Sequence, residues 1–542
     1  MNRLLPTRRL IPRWRKAKFS INQPDMLGMV RASTSKATVA APSDDVDREL
    51  HAWKRTGAVG ALADVLAFGV DPQQHERLAE AARAAIVSED STPTMRLVAQ
   101  EILESGSSKS DVWQKPLDAR QSVQVLRALL RNAPDDVIAL VDLAQHHLAH
   151  GKRQAVERAL GAALQLSPDS VHVIRAITRY WVHVGEEDKA HAFIKRTSRL
   201  AVDPWLMASE IAIAQVVRAP STQLKKAQRA ILSKTFSDRN VSELAAAVGG
   251  AELYQGNLKQ ARKLFRLALE RPNDNVLAQA ITNQSFLGIE VDDQVLRRAP
   301  MGGIFEGRSL QALVRADFQE AARLTGCWAE EEPFSSRPRT LQSFVCGALG
   351  EYEQSLAAAE TGLTADPKDV SLRGNKAYAL ASLGRLKEAE DELVLIECHD
   401  DGSHQSFTAA TKGMLAILRG DFERGRFLYE TALAQFKSKK QNEPYTDCLA
   451  FMARTMTLAQ APRFEADVAR AVAHYEKEPS QAALVILRAL AQQVKDMSEE
   501  PTRKTVQWEW DVETNTLREK RELTRKGAPG FVVATQTPRL KA

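Results

Sequence analysis

Cysteine is scarce in this 542-residue chain: four occur, Cys327, Cys346, Cys398 and Cys448, separated by 19, 52 and 50 positions. That spacing holds no CxxC pair and no disulfide framework, so a reducing, cytoplasmic compartment is expected and the thiols are expected in the core. Long apolar runs are missing too. The stretch from Ala482 to Leu487 is closed by Arg488, far short of the ~18 residues of a membrane helix, and no membrane partner is expected. Aromatics make up 6% of the chain, and period-two runs of Val, Ile, Thr and aromatics are absent until its last 40 residues. A β-sheet core is thereby excluded for the body. The sequence contains no G-x-S-x-G, no G-x-G-x-x-G, no H-E-x-x-H and no paired Cys/His set. No catalytic residue, cofactor or metal is expected, and the chain reads as non-enzymatic.

The formal charge is +6, from 74 Lys/Arg and 68 Asp/Glu. Residues 1–40 carry nine bases and one acid, and residues 501–542 nine bases and five acids, so residues 41–500 keep 56 bases and 62 acids, a net of −6. An acidic body between basic tails puts any polyanion binding at the tails first. The N-terminal segment has no apolar signal region, and Pro6 and Pro12 interrupt the amphipathic helix a transit peptide needs. Its Arg8, Arg9, Arg13, Trp14, Arg15, Lys16 and Lys18 form a basic cluster with an aromatic, suited to nucleic-acid phosphates and bases, to an acidic protein surface, or to remaining a solvated tail.

From Asp44 onward the apolar residues recur at helical spacing. Glycine and proline recur at a longer interval: Gly151 to Gly185 and Gly350 to Gly384 are 34 apart, Gly420 follows 36 later, and Pro134 to Pro168 and Pro333 to Pro367 are 34 apart. A fixed period of this size signals stacked two-helix units. In the unit from Val370, Ala377 and Leu380 lie on the first helix, Gly384 ends it, and Ala389 and Leu393 lie on the second. The small pair admits close approach and the leucines fill the remaining gap. The glycine supplies a left-handed helix end, and the proline is expected to begin the following helix.

These residues resemble the tetratricopeptide repeat (TPR) family, with further matches at Ala144, Ala163, Ala190, Gly249, Gly256, Ala261, Phe265, Ala268, Ala316, Phe318, Ala321, Tyr352, Ser355, Gly413, Phe422, Gly425, Tyr429 and Ala432. The fold expected is all-α: a TPR-like α-solenoid, a right-handed superhelix of antiparallel helix pairs, with flanking helices and a short C-terminal β-hairpin. Its divisions are a basic tail (1–43), an N-terminal helical cap (44–132), a first block (133–274), an irregular junction (275–307), a second block (308–438), a C-terminal helical region (439–497) and a basic tail (498–542). The hairpin rests on Trp508 and Trp510 alternating with Gln507, Glu509 and Asp511 before a turn at Thr514 and Asn515.

The resemblance implies a protein or peptide partner in a concave groove lined by the first helices. Carried over residue by residue, its lining includes Arg175, Arg179 and His183 in the first block and Phe344, Asn375, Tyr378 and Met414 in the second. The function expected is a non-catalytic interaction scaffold or regulator; the alternative is a nucleic-acid-associated assembly factor using the N-terminal tail. Two further patterns are read as structural. Gly302, Gly307, Arg308 and Ser309 mimic a phosphate-loop spacing without its lysine or preceding strand, and read as an inter-helix loop. His146, His147 and His150 lack a third ligand and read as surface and packing residues.

Overall fold

The computed structural model describes residues 45–57, 74–88, 93–104, 119–236, 238–299, 304–399, 404–496, 507–511 and 516–520, with a few isolated positions. Apart from the last two segments the described chain is helical. It divides into two compact units, one of residues 1–311 with 327–334 and one of residues 312–326 with 335–542.

In the first unit, α1 (Asp45–Thr56), α2 (His75–Val87), α3 (Pro93–Glu104) and α4 (Ala119–Asn132) precede the periodic region. Then come α5 (Val137–Ala149) and α6 (Arg153–Leu166), α7 (Val171–His183) and α8 (Glu187–Lys195), α9 (Pro204–Val216) and α10 (Leu224–Leu232), α11 (Asp238–Tyr254) and α12 (Leu258–Ala268). Three more follow: α13 (Asp274–Leu287), α14 (Asp293–Arg298) and α15 (Phe305–Val314). Short polar side chains start the first helices: Asp136 accepts from the Ala139 amide at 3.0 Å, Ser170 from Val173 at 3.4 Å and Asn273 from Val276 at 2.9 Å. Each satisfies an amide that has no partner within the helix. Pro134 and Pro168 therefore do not begin helices as expected. They stand in the preceding turns, three residues before the helix starts at Val137 and Val171.

In the second unit α16 (Phe318–Glu331), whose last residues belong to the first unit, is followed by the pairs α17 (Ser336–Leu349) with α18 (Tyr352–Ala365), α19 (Val370–Ser382) with α20 (Leu386–His399) and α21 (Gln405–Leu418) with α22 (Phe422–Ser438). It continues with α23 (Asn442–Leu458), α24 (Phe464–Tyr475) and α25 (Gln481–Asp496). Gly350 and Gly384 end first helices at φ 87° and 78°, a backbone region costly for residues with a Cβ. Ala316 lies 34 residues before Gly350 and adopts the same left-handed geometry at φ 57°. The turn is thus imposed by the packing of the pair even where its glycine is missing.

One pair of positions sets how closely the helices approach. It is occupied by Ser343 and Ser355, then Ala377 and Ala389, then Gly413 and Gly425, all buried. The serines bond reciprocally across the contact, Ser343 Oγ donating to the Ser355 carbonyl at 2.8 Å and Ser355 Oγ to the Ser343 carbonyl at 2.7 Å. At the glycines a Cβ on Gly425 would lie 3.0 Å from the Gly413 carbonyl oxygen and clash with Ile417. Size, not polarity, is what the close approach demands.

Two strands, β1 (Gln507–Asp511) and β2 (Thr516–Lys520), pair antiparallel with Trp510 opposite Leu517. Among the described residues no helix is long and apolar enough to cross a membrane.

Candidate partner-binding surface

The first block's lining is built inward rather than left open. Arg175 on α7 is 1% exposed. Its Nη2 meets Glu243 Oε1 of α11 at 2.9 Å, its Nη1 donates to the Trp205 carbonyl at 3.3 Å, and its guanidinium lies 5.3 Å from the Trp205 ring. Glu243 also accepts from Asn275 Nδ2 at 2.9 Å and Asn273 Nδ2 at 3.1 Å. The carboxylate is thus surrounded by donors from α7 and from the start of α13, and the network ties three first helices together. Arg175 is a structural ion-pair residue and offers no charge to a groove ligand.

Arg179 and His183, one and two turns further along α7, face the chain itself. Phe334, fully buried, lies 5.3 Å from the Arg179 guanidinium and edge-on to the His183 ring at 5.2 Å. Nearby, Gln145 Nε2 of α5 donates to the Glu331 carbonyl at 3.1 Å. Helices α5 and α7 therefore hold a stretch of polypeptide by an aromatic anchor and a backbone carbonyl. Burial, and then the neighbouring Arg179, push the His183 pKa down to about 3; burial, and then Arg175, push that of His172 down to about 4. Both rings are neutral at pH 7.

In the second unit one predicted residue, Tyr378, meets a residue that the repeat pattern does not nominate. Arg454 of α23, 2% exposed, donates to the Ala348 and Gly347 carbonyls at 2.8 Å each and to the Tyr378 hydroxyl. Its guanidinium lies 5.1 Å from the Phe451 ring, 5.7 Å from Tyr378 and 5.8 Å from Tyr352. A cation thus neutralises the carbonyl end of α17 while its faces rest on aromatic rings. Burial pushes the Tyr378 phenol well above its ordinary range. Asn375 Nδ2 donates to the Thr340 carbonyl at 3.0 Å and so locks α19 to α17. Met414 is buried at 4% exposure, whereas Phe344 is half-buried beside Phe318 at 6.5 Å and Phe407, one turn into α21, is 50% exposed. No sequence signal marks Arg454 or Phe334, because their importance arises from contacts with residues 76 and 151 positions away, at Tyr378 and His183.

Arg8 to Lys18 lie outside the described residues, as do the side chains of Trp508 and Trp510. Gly307, Arg308 and Ser309 are not loop residues: they sit in the first turns of α15, where the Glu306 and Gly307 amides donate to the Asp274 carboxylate. The anion position of that helix start is filled by the chain's own side chain. His146 and His147 are buried, and among the described residues no His/Cys/Asp/Glu group is placed to hold a metal. Cys346 and Cys448 are buried as expected, but Cys398 is exposed.

Paired helices of 9 to 17 residues, left-handed turns at a 34-residue interval and small residues buried at the closest contact together define a helical-repeat protein whose units resemble the tetratricopeptide repeat. Among solved structures the chain is similar to the APC/C hetero-tetramer Cut9–Hcn1 (13% identity over 82% of this chain and 80% of that one, TM-score 0.38). It is also similar to yeast Tom70 (12%, 83% and 95%, TM-score 0.30) and to the TPR2AB domain of yeast Sti1 in its pHSP90 complex (13%, 46% and 95%, TM-score 0.19). At these TM-scores the likenesses carry no functional inference. No protein-family model and no curated protein matches the chain.

Proposed function

We propose that this protein is a non-catalytic scaffold or regulator whose inner helical surfaces bind an extended segment of a protein partner. The observation that carries the reading is the seat of Phe334 on Arg179 and His183, with Gln145 bonded to the Glu331 carbonyl. These helices already recognise polypeptide by the two devices that peptide grooves use, a side-chain anchor and a main-chain hydrogen bond. In the second unit Phe344 and Phe407 present partly exposed rings on first helices, whereas Tyr378 and Met414 are engaged in packing. The exposed rings are the contact points expected there.

Affinity capture with the wild type and with a Phe344→Ala/Phe407→Ala double variant tests this. The variant is expected to keep its helical content and lose partners that the wild type retains; identical partner sets would overturn the reading.

A further inference from the structure

An unassigned charged surface lies on the second helices α10 and α12. Ala227 of α10 and Ala261 of α12 stand 34 residues apart and are both fully buried, so the two helices turn corresponding faces inward. Lys225 and Lys259, and likewise Arg229 and Lys263, therefore hold equivalent outward positions in consecutive units. Lys226 and Arg266 extend the same surface. All six are exposed, neither helix contains an acidic residue, and among the described residues none of the six makes an ion pair or side-chain hydrogen bond.

This differs from the second unit. There Arg323 pairs with Glu320 at 2.7 Å, Arg385 with Glu388 at 2.6 Å, Arg419 with Glu390 and Lys412 with Glu397, while the exposed Lys437, Lys439 and Lys440, without an ion pair among the described residues, lie together at the end of α22 and not at matching positions of successive repeats. Residues 218–271 hold eleven Lys/Arg and four Asp/Glu, a net of +7, within a body of −6. Unpaired like charges at matching positions of adjoining units repel, and a polyanion laid across them removes that repulsion.

We infer that the outward faces of α10 and α12 bind the phosphate backbone of a nucleic acid. The six cations form a surface array of point charges, the arrangement that reads a regular backbone rather than a sequence. Tyr254, 65% exposed at the end of α11 and four residues before α12 begins, places a ring at the margin of the array on which a base can stack. The body then carries a polyanion-binding surface of its own.

Fluorescence anisotropy with the full chain tests the proposal, using a labelled single-stranded RNA of about 30 nucleotides and a DNA duplex of about 20 base pairs at salt from about 50 to 200 mM. If all six cations contact phosphates, log Kd for the single strand rises with log salt at a slope of about 4, and the triple variant Lys225→Glu/Lys226→Glu/Arg229→Glu lowers that slope by about 2. The variant is expected to bind at least about tenfold more weakly at the lowest salt, and the matching Lys→Gln and Arg→Gln variant, with an unchanged melting temperature, to show a smaller loss. Removal of residues 1–40 leaves these losses in place. The inference is overturned if neither nucleic acid binds, if the triple variant binds like the wild type, or if removal of residues 1–40 alone abolishes binding. Tighter binding to phosphatidylserine vesicles or to polyglutamate than to either nucleic acid also overturns it.

Discussion

Arg175 and Glu243, 68 residues apart in the chain, meet at 2.9 Å with side chains 2% and 1% exposed. Two helices separated by three others are joined by one desolvated ion pair. Removing one partner leaves a buried charge uncompensated, so Glu243→Gln or Arg175→Met is expected to destabilise the first unit by about 3 to 5 kcal/mol, whereas Arg175→Met/Glu243→Leu recovers much of the loss. Urea unfolding of the single and double variants measures this. Additive losses would show that the two side chains are not coupled.

Arg454 presents the same problem with a different solution, since its partners are carbonyls and rings instead of a carboxylate. Arg454→Met keeps the apolar stem but leaves the Gly347 and Ala348 carbonyls and the Tyr378 hydroxyl without their donor. A loss of about 2 to 3 kcal/mol is expected. Arg454→Lys should recover only part of it, because an ammonium cannot span two carbonyls and a hydroxyl as a planar guanidinium does. Equal stability of the Lys variant and the wild type would argue against the fork geometry.

The helix-approach positions and the turns offer substitutions of opposite sign. Gly425→Ala forces a Cβ against Ile417 and the Gly413 carbonyl and is expected to cost about 1 to 3 kcal/mol by overpacking. Ala316→Gly relieves the left-handed backbone at φ 57° and is expected to stabilise by up to about 1 kcal/mol, strain relief being offset in part by greater unfolded-state entropy. Thermal denaturation of each variant decides, and a stabilising Gly425→Ala would mean that the two helices can separate without penalty.

Acid sensitivity follows from His172 and His183, whose pKa values burial pushes down to about 4 and about 3, with Arg175 and Arg179 adding to the effect. Because these folded values lie below the ordinary one, the unfolded chain binds more protons as pH falls. Their contribution is constant above about pH 6.5 and stability declines below it, toward pH 4, by up to about 1.4 kcal/mol per pH unit for each histidine. His183→Phe, which keeps a ring against Phe334, should lower the slope of stability against pH between about 5 and 6, His172, His147 and His474 supplying what remains. An unaltered slope would remove His183 from the explanation.

Local spacing made the pairs legible. Gly350 and Gly384 mark helix ends because a left-handed turn penalises a Cβ, and Ala377 and Ala389 mark the close contact because only a small residue fits there. The prolines were misplaced by a few residues, since Pro134 and Pro168 lie in the turns and the amides of the following helices are satisfied by Asp136 and Ser170 instead. Ser343 carries no such mark because a hydroxyl looks polar in sequence, although its reciprocal bond with Ser355 lets it serve as a small core residue.

The groove shows where that legibility ends. Repeat position correctly assigns Arg175, Tyr378 and Met414 to first helices, but a 34-residue period says nothing about what lies across from them. Only the tertiary structure places Glu243 against Arg175, Arg454 against Tyr378 and Phe334 against His183. Each of these contacts joins residues 68 or more positions apart. The sequence by itself determined the helical units and their close approach, because those depend on residue size and backbone freedom within one period. Which of these residues are spent on packing and which remain for a partner was decided by the contacts between helices distant in the chain, a property of the stacked repeats and of no single one.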